Sequence, residues 1–269
     1  MAYYKPEEIT EITIKQGVKK ANYPLMKSLI LGFQAGAFIA LGYLLYIRVT
    51  APLGGELEGL STILGASLFP IGLILTLMAG GELLTGNMMA VPLATYAKKV
   101  KTTALMKNLV IITLSNFLGA VFVAYFFGHI VGLTESGLYL EKMVYIAEHK
   151  LDGTFVQAFI SGIGCNWLVA LAVWLCYGSD TPSGKILGIW FPTMTFVAIG
   201  FQHVVANMFV IPAAIFAGYL TWFDFISNFI PVFLGNLVGG SIFVAMLYWF
   251  SLQKDDHSKL SEKKSLKVS

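Results

Sequence analysis

The sequence predicts an all-α membrane protein of six spanning helices, arranged as two inverted halves with the second and fifth spans broken. Three observations carry this reading. The 269 residues are 57% apolar and 12% charged, with a mean hydropathy of +0.73. That is about half the charge of a soluble domain, so most of the chain belongs in lipid. Six apolar stretches reach the roughly 20 residues needed to cross the hydrocarbon as helix. One unusual stretch also occurs twice, 120 residues apart: Asn87-Met88-Met89-Ala90-Val91-Pro92-Leu93-Ala94 and Asn207-Met208-Phe209-Val210-Ile211-Pro212-Ala213-Ala214. A second pair, Asn116-Phe117-Leu118-Gly119 and Asn236-Leu237-Val238-Gly239, keeps the same offset. Broken apolar segments at matching places in two halves point to a pathway near the bilayer midplane.

Residues 6–21 come first, in a segment 1–26 expected to be a cytoplasmic N-terminal helix. Pro6 suits a first helical turn, Glu7, Glu8 and Glu11 favour the N-terminal end, and Lys15, Lys19 and Lys20 the C-terminal end. This amphipathic helix is expected to lie on the membrane surface, with covering of a pore mouth as the alternative. No cleavable signal-peptide pattern is read in the polar start. The spans follow at about 27–49, 61–97, 106–131, 153–178, 186–217 and 228–251, within a channel domain 27–252 whose halves are about 27–131 and 153–251. The second and fifth are too long for one straight crossing. Their breaks are Gly80-Gly81-Glu82-Leu83-Leu84-Thr85-Gly86-Asn87 and Gly200-Phe201-Gln202-His203-Val204-Val205-Ala206-Asn207, each read as half-helix, turn and half-helix. Residues 253–269, rich in Lys, Ser and Asp, read as a disordered cytoplasmic tail.

Basic residues set the orientation. The N-terminal segment, the Lys98-to-Lys107 loop, Lys185 and the C-terminal tail hold 15 of the 18 Lys and Arg residues; only Arg48, Lys142 and Lys150 lie on the other side. Both termini are therefore expected in the cytoplasm, in a multi-pass protein of the plasma membrane. Three spans per half make the halves inverted. The net charge of +3 is scattered over tails and loops, which argues against a nucleic-acid partner. Cys165 and Cys176 are about three helical turns apart and are expected to be buried small hydrophobes, too distant to bridge.

Ionisable groups are costly inside a span, and here they collect at the breaks. His203 is the strongest candidate: its imidazole exchanges a proton near neutral pH at the centre of a broken membrane helix, where no packing role calls for it. Thr85, at the corresponding part of the first break, is expected to approach it across the pathway. Asn166 either bonds a neighbouring helix or lines the pore. Asn87 and Asn207 are expected to cap the second half-helices. Glu82 must be paired or protonated and is expected to anchor its loop. Lys150, where the fourth span begins, is either a solvated loop lysine or a cation that draws anions to an outer vestibule. Phe69, Leu73, Leu83, Leu84 and Phe196 either form dry constrictions or pack helices. No phosphate loop, Cys-x-x-Cys pair or His/Glu metal spacing suggests a cofactor, a metal or an enzyme.

Three segments carry a family resemblance: Met78-Ala79-Gly80-Gly81-Glu82-Leu83-Leu84-Thr85-Gly86-Asn87, Gly162-Ile163-Gly164-Cys165-Asn166-Trp167-Leu168-Val169-Ala170-Leu171-Ala172, and Gly200-Phe201-Gln202-His203-Val204-Val205-Ala206-Asn207-Met208. In that order on those spans, the chain resembles the formate/nitrite transporter family. The resemblance implies an aquaporin-like protomer, a homopentamer, and a chamber holding His203 and Thr85 between constrictions to which Phe69, Phe196, Leu73, Leu83 and Leu84 correspond. It makes Lys150 a vestibule lysine and Asn166 and Asn207 motif asparagines on the pathway. Gln202 departs from the glutamate commonly found before the histidine.

The expected activity is proton-linked passage of a small weak-acid anion. Lys150 draws the anion in, and the anion takes a proton from, or shares one with, His203 and Thr85. Bare charge in an apolar constriction costs far too much. Formate is favoured by Asn207-Met208-Phe209-Val210-Ile211-Pro212, which looks like the formate-type continuation; nitrite and then hydrosulfide follow. A neutral-solute channel is the rival class, disfavoured because the breaks lack Asn-Pro-Ala pairs and leave His203 no task.

Overall fold

In the computed structural model, which describes residues 3–252, ten helices and their connections account for nearly all of the described residues. They are α1 (Pro6–Ala21), α2 (Leu25–Thr50), α3 (Gly55–Gly80), α4 (Leu84–Tyr96), α5 (Thr102–Ile130), α6 (Gly137–His149), α7 (Phe155–Tyr177), α8 (Pro182–Ile199), α9 (Val204–Phe216) and α10 (Trp222–Ser251). Helices α2, α3, α5, α7 and α10 are each long and apolar enough to cross a membrane alone. Helices α8 and α9 do so as a pair bent by 51° at the second break. The first break is milder in name only, since α4 likewise restarts as a separate helix after Gly81, whose backbone is extended. The expected tail, 253–269, lies outside the described residues.

The repeat is longer than three spans per half. Helices α1 to α5 correspond in order to α6 to α10, and equivalent pairs pack alike: α2 on α5 as α7 on α10, and α1 on α4 as α6 on α9. Helix α6 was expected only as outer loop. Arg48 holds its position, donating to the Leu133 carbonyl (3.2 Å) and lying 3.4 Å from the Tyr139 ring. Met143, Val144 and Ala147 form its buried face. Helix α1, expected at the membrane surface or over the pore mouth, packs one face on protein. It buries Ile9, Thr13, Gly17 and Lys20, and the chain ahead of it is tied down by the Tyr4 N–H, which donates to the Gly178 carbonyl at 2.8 Å.

Small residues set the closest helix approaches, as membrane interiors favour. A Cβ on Gly36 would run into the Asn116 carbonyl, and one on Gly119 into the Phe33 carbonyl, so α2 and α5 touch backbone to backbone. Gly235 against Phe159 and Gly239 against Ile163 do the same for α10 and α7. The outward surface is apolar, with Leu114, Leu118, Ile160, Phe191 and Phe250 exposed, as contact with lipid or another subunit requires. Half-helices α4 and α9 lie inside this shell, with Leu84 to Ala94 and Val204 to Ala214 buried without interruption.

Gly235→Leu should disrupt the α7–α10 contact. The side chain meets backbone, which no rotamer change relieves, and overpacking costs roughly 1–3 kcal/mol even in softer surroundings. The expected result is a lower thermal midpoint and loss of monodisperse protein in detergent. Gly59→Ala, whose Cβ meets nothing within 4 Å, should leave both unchanged.

Candidate functional site

At each break the polypeptide leaves helical geometry at membrane depth, where unpaired backbone groups are costly. One asparagine from the neighbouring helix answers that cost in each half. Asn116 Oδ1 accepts from the Leu84 N–H (2.8 Å), while its Nδ2 donates to the carbonyls of Gly32 (2.8 Å) and Glu82 (2.9 Å). Asn236 Oδ1 accepts from the Val204 N–H (2.9 Å), and its Nδ2 donates to the carbonyls of Gly162 (2.8 Å) and Gln202 (3.0 Å). The amide thus closes a donor and two acceptors in one plane. Asn116 and Asn236 stand out in the sequence as a repeated pair, but their task is visible only from across the fold.

Asn87 and Asn207 are not the caps expected of them. Leu83 and His203 occupy the N-cap positions, and Asn87 and Asn207 sit one turn further in. Asn87 Nδ2 donates to Glu82 Oε2 (3.1 Å) and Asn108 Oδ1 (3.0 Å). Asn207 Nδ2 donates to Gln202 Oε1 and Asn228 Oδ1, both at 2.8 Å. Asn108 and Asn228 were missed from the sequence, although they repeat at the same 120-residue offset. Each reaches a lysine carbonyl: Asn108 that of Lys20 (3.1 Å), Asn228 that of Lys150 (2.8 Å). Lys20 and Lys150 are therefore equivalent residues, closing α1 and α6.

Their side chains differ. Lys20 Nζ is 2.8 Å from Glu82 Oε1 in a buried ion pair, as the pairing expected for Glu82 requires. Burial opposes the Lys20 charge, but Tyr177 and Glu82 beside it outweigh that and hold its pKa above the usual lysine value. Lys150 is half-buried, and among the described residues its ammonium forms no ion pair. Burial pulls its pKa below the usual value. Gln202 meets the Lys150 backbone instead, its Nε2 donating to the Lys150 carbonyl at 3.1 Å.

Lys150 lines a cavity of about 230 Å³ that also includes Tyr43, Phe69, Phe196, His203 and Asn207. Phe69 and Phe196 meet edge to face at 5.8 Å and narrow it, and Phe196 stacks on His203 at 5.8 Å. Leu73, Leu83 and Leu84 belong to the surrounding core and do not line this cavity. Strictly, the counterpart of His203 is Leu83, and that of Thr85 is Val205. Even so, the inversion brings Thr85 Oγ1 to 3.0 Å from His203 Nε2.

That contact has a direction. His203 Nδ1 accepts from the Ala206 N–H at 3.1 Å, so in the neutral ring the proton is on Nε2 and points at Thr85. Protonating Nδ1 would set two donors against each other. Both groups are buried, Thr85 fully and His203 all but 2%. Of the two roles expected for Asn166, the structure shows the helix tie: from α7 its Nδ2 donates to the carbonyls of Asn236 (2.7 Å) on α10 and Thr85 (3.2 Å) on α4, holding the first half-helix to both. The assembly is a cavity with polar and apolar walls in equal measure, with the imidazole of His203, hydrogen-bonded to the Thr85 hydroxyl, at one place and the ammonium of Lys150, without an ion pair among the described residues, at another.

Known proteins resemble this chain in sequence and in fold. The model of the formate/nitrite transporter family matches residues 7–250. An uncharacterized transporter, YrhG, of Bacillus subtilis is 58% identical over 96% of this chain and 97% of its own length. The formate channel BtFdhC of Bacillus thuringiensis is 55% identical over 97% of this chain and 100% of its own. Among solved structures, a pentameric formate channel with formate bound superposes with a TM-score of 0.78 at 33% identity, covering 86% of this chain and 98% of that one. With the family model matched from the first helix to the last, the chain belongs to the formate/nitrite transporter family and is an integral, multi-pass membrane transport protein.

Proposed function

We propose that this protein is a plasma-membrane channel for small monovalent weak-acid anions, formate first, and that the substrate crosses together with a proton. The observation that carries the reading is the His203–Thr85 couple beyond a phenylalanine constriction whose cavity also holds the unpaired Lys150. Formate is supported by the formate channel 55% identical to this chain and by the formate-bound structural relative. The latter is pentameric, which supports a pentamer here, and the family resemblance makes it a homopentamer with a pore in each subunit. Nitrite is the second reading, since the family takes its name from both anions. By the distribution of basic residues, α1 and both termini face the cytoplasm and α6 and Lys150 face outward.

The chemistry follows from cost. A bare carboxylate cannot enter a dry aromatic constriction, but its neutral acid or a tightly shared proton–anion pair can. Lys150 raises the local concentration of anions at the mouth. Inside, the Nε2–H of neutral His203 and the Thr85 hydroxyl offer donors to a carboxyl oxygen. Because Nδ1 is already engaged by the Ala206 N–H, His203 shares a hydrogen bond with the substrate rather than giving its proton away outright. This narrows the expected relay to its sharing form. Asn166 and Asn236 act on the passage by positioning Thr85 and the second break. Segment 1–26 serves as an inner cover, residues 27–252 as the pore body, and 253–269 as a cytoplasmic tail.

His203→Phe should reduce formate-linked proton uptake into proteoliposomes by about tenfold or more, the loss of one hydrogen bond to a charged group, while leaving the oligomer intact. Full uptake in the variant would make His203 structural. Running formate, nitrite, hydrosulfide and glycerol in the same assay ranks the substrates, and preferential glycerol flux would sink the weak-acid reading.

Lys150→Ala should slow anion flux severalfold at low ionic strength and much less at high, since a vestibule charge acts through a field that salt screens over about 8 Å at physiological ionic strength. An equal fractional loss at both ionic strengths would show that the lysine supports the fold instead.

A further inference from the structure

The repeat builds the same cradle twice and then treats its two lysines differently. On the α1 side, Lys20 Nζ is bound to Glu82 at 2.8 Å, and Asn87 Nδ2 holds the other carboxylate oxygen at 3.1 Å. On the α6 side the residue equivalent to Glu82 is Gln202, with no charge to offer. Its Oε1 is taken up by Asn207 and Asn228 Nδ2 atoms (2.8 and 2.9 Å), and its Nε2 by the Lys150 carbonyl (3.1 Å). An anion approaching Lys20 must displace a buried carboxylate, whereas Lys150, in a cavity that Glu58 and Lys142 also line, forms no ion pair among the described residues.

We propose that the residue pair Glu82 and Gln202 makes the protein kinetically asymmetric: anions bind more tightly from the α6 side than from the α1 side. The inference rests on the weak-acid transport reading and deepens it. A passive pathway cannot favour one direction at equilibrium, so at matched pH and zero voltage the rates from the two faces are equal when substrate is scarce. The asymmetry therefore lies in saturation. Flux from the α6 face has the lower KM and, in proportion, the lower maximal rate. Glu82 and Gln202 act as positioning residues, each deciding whether its lysine is available.

The test is zero-trans formate flux in proteoliposomes of uniform protein orientation, with KM and maximal rate measured from each face. Wild-type protein is expected to show a KM about tenfold lower from the α6 face, the low end of what a focused vestibule charge supplies. Adding salt should raise that KM and leave the other nearly unchanged. Gln202→Glu should pair with Lys150 and bring the two values together; Glu82→Gln should free Lys20 and do so from the other side. Equal KM values in the wild type, or a KM ratio that Gln202→Glu leaves unmoved, overturn the proposal. Should Glu82→Gln fail to assemble for want of a counter-charge to Lys20, the wild-type ratio and Gln202→Glu decide the matter alone. Absence of any formate flux in the wild type sinks the transport reading itself, an outcome distinct from symmetric flux.

Discussion

The structure depends on satisfying broken backbone where there is no water. Two helices stop and restart inside the membrane, and each interruption strands N–H and C=O groups that lipid cannot solvate. Asn116 and Asn236 answer both with the same three bonds, drawn from the neighbouring helix and reaching the one opposite. Those bonds need backbones within reach, which explains glycine at Gly36, Gly119, Gly235 and Gly239. Close packing is therefore a condition for the breaks, and the breaks are the condition for a polar site at that depth.

Once the breaks are held, the two halves supply one scaffold with different side chains. At the N-cap of the restarting half-helix stands Leu83 in one half and His203 in the other. A residue earlier stand Glu82 and Gln202, and two residues later Thr85 and Val205. Symmetry places these residues, and the departures from symmetry supply the chemistry. One imidazole instead of two means one donor couple in the passage, and one carboxylate instead of two leaves one lysine free. Asn166 has no asparagine counterpart, since Gly36 takes the equivalent place, and it alone ties the Thr85 carbonyl to α10.

Helices α1 and α6 extend that logic to the ends of the pathway. Each is short, lies outside the spans and has at its C-terminal end a lysine whose carbonyl is bound by an asparagine from the third span of its half. Their seating on α4 and α9 couples the mouths to the half-helices that form the site. A shift of α1 would strain the Lys20–Glu82 pair, and with it the first break. A shift of α6 would act on the Lys150 carbonyl and, through Gln202, on the adjoining His203.

The sequence by itself determined the class, the six spans, the inversion and the two breaks, because hydropathy, span parity and a 120-residue repeat are properties of the linear chain. It also singled out His203, Thr85 and Lys150, since groups that ionise or hydrogen-bond are conspicuous in apolar surroundings. The longer repeat escaped notice. Helices α1 and α6 match at an offset of 130 rather than 120, and their amphipathic faces resemble any surface helix. Tertiary structure alone decided which asparagine does what. An amide donates and accepts equally well in any direction, so Asn87 and Asn207 as caps and Asn116 and Asn236 as clamps are indistinguishable until their neighbours are placed. It alone decided that Glu82 neutralises Lys20, 62 residues away, while Gln202 leaves Lys150 unpaired, because an ion pair is a fact of distance and burial that no spacing along the chain encodes.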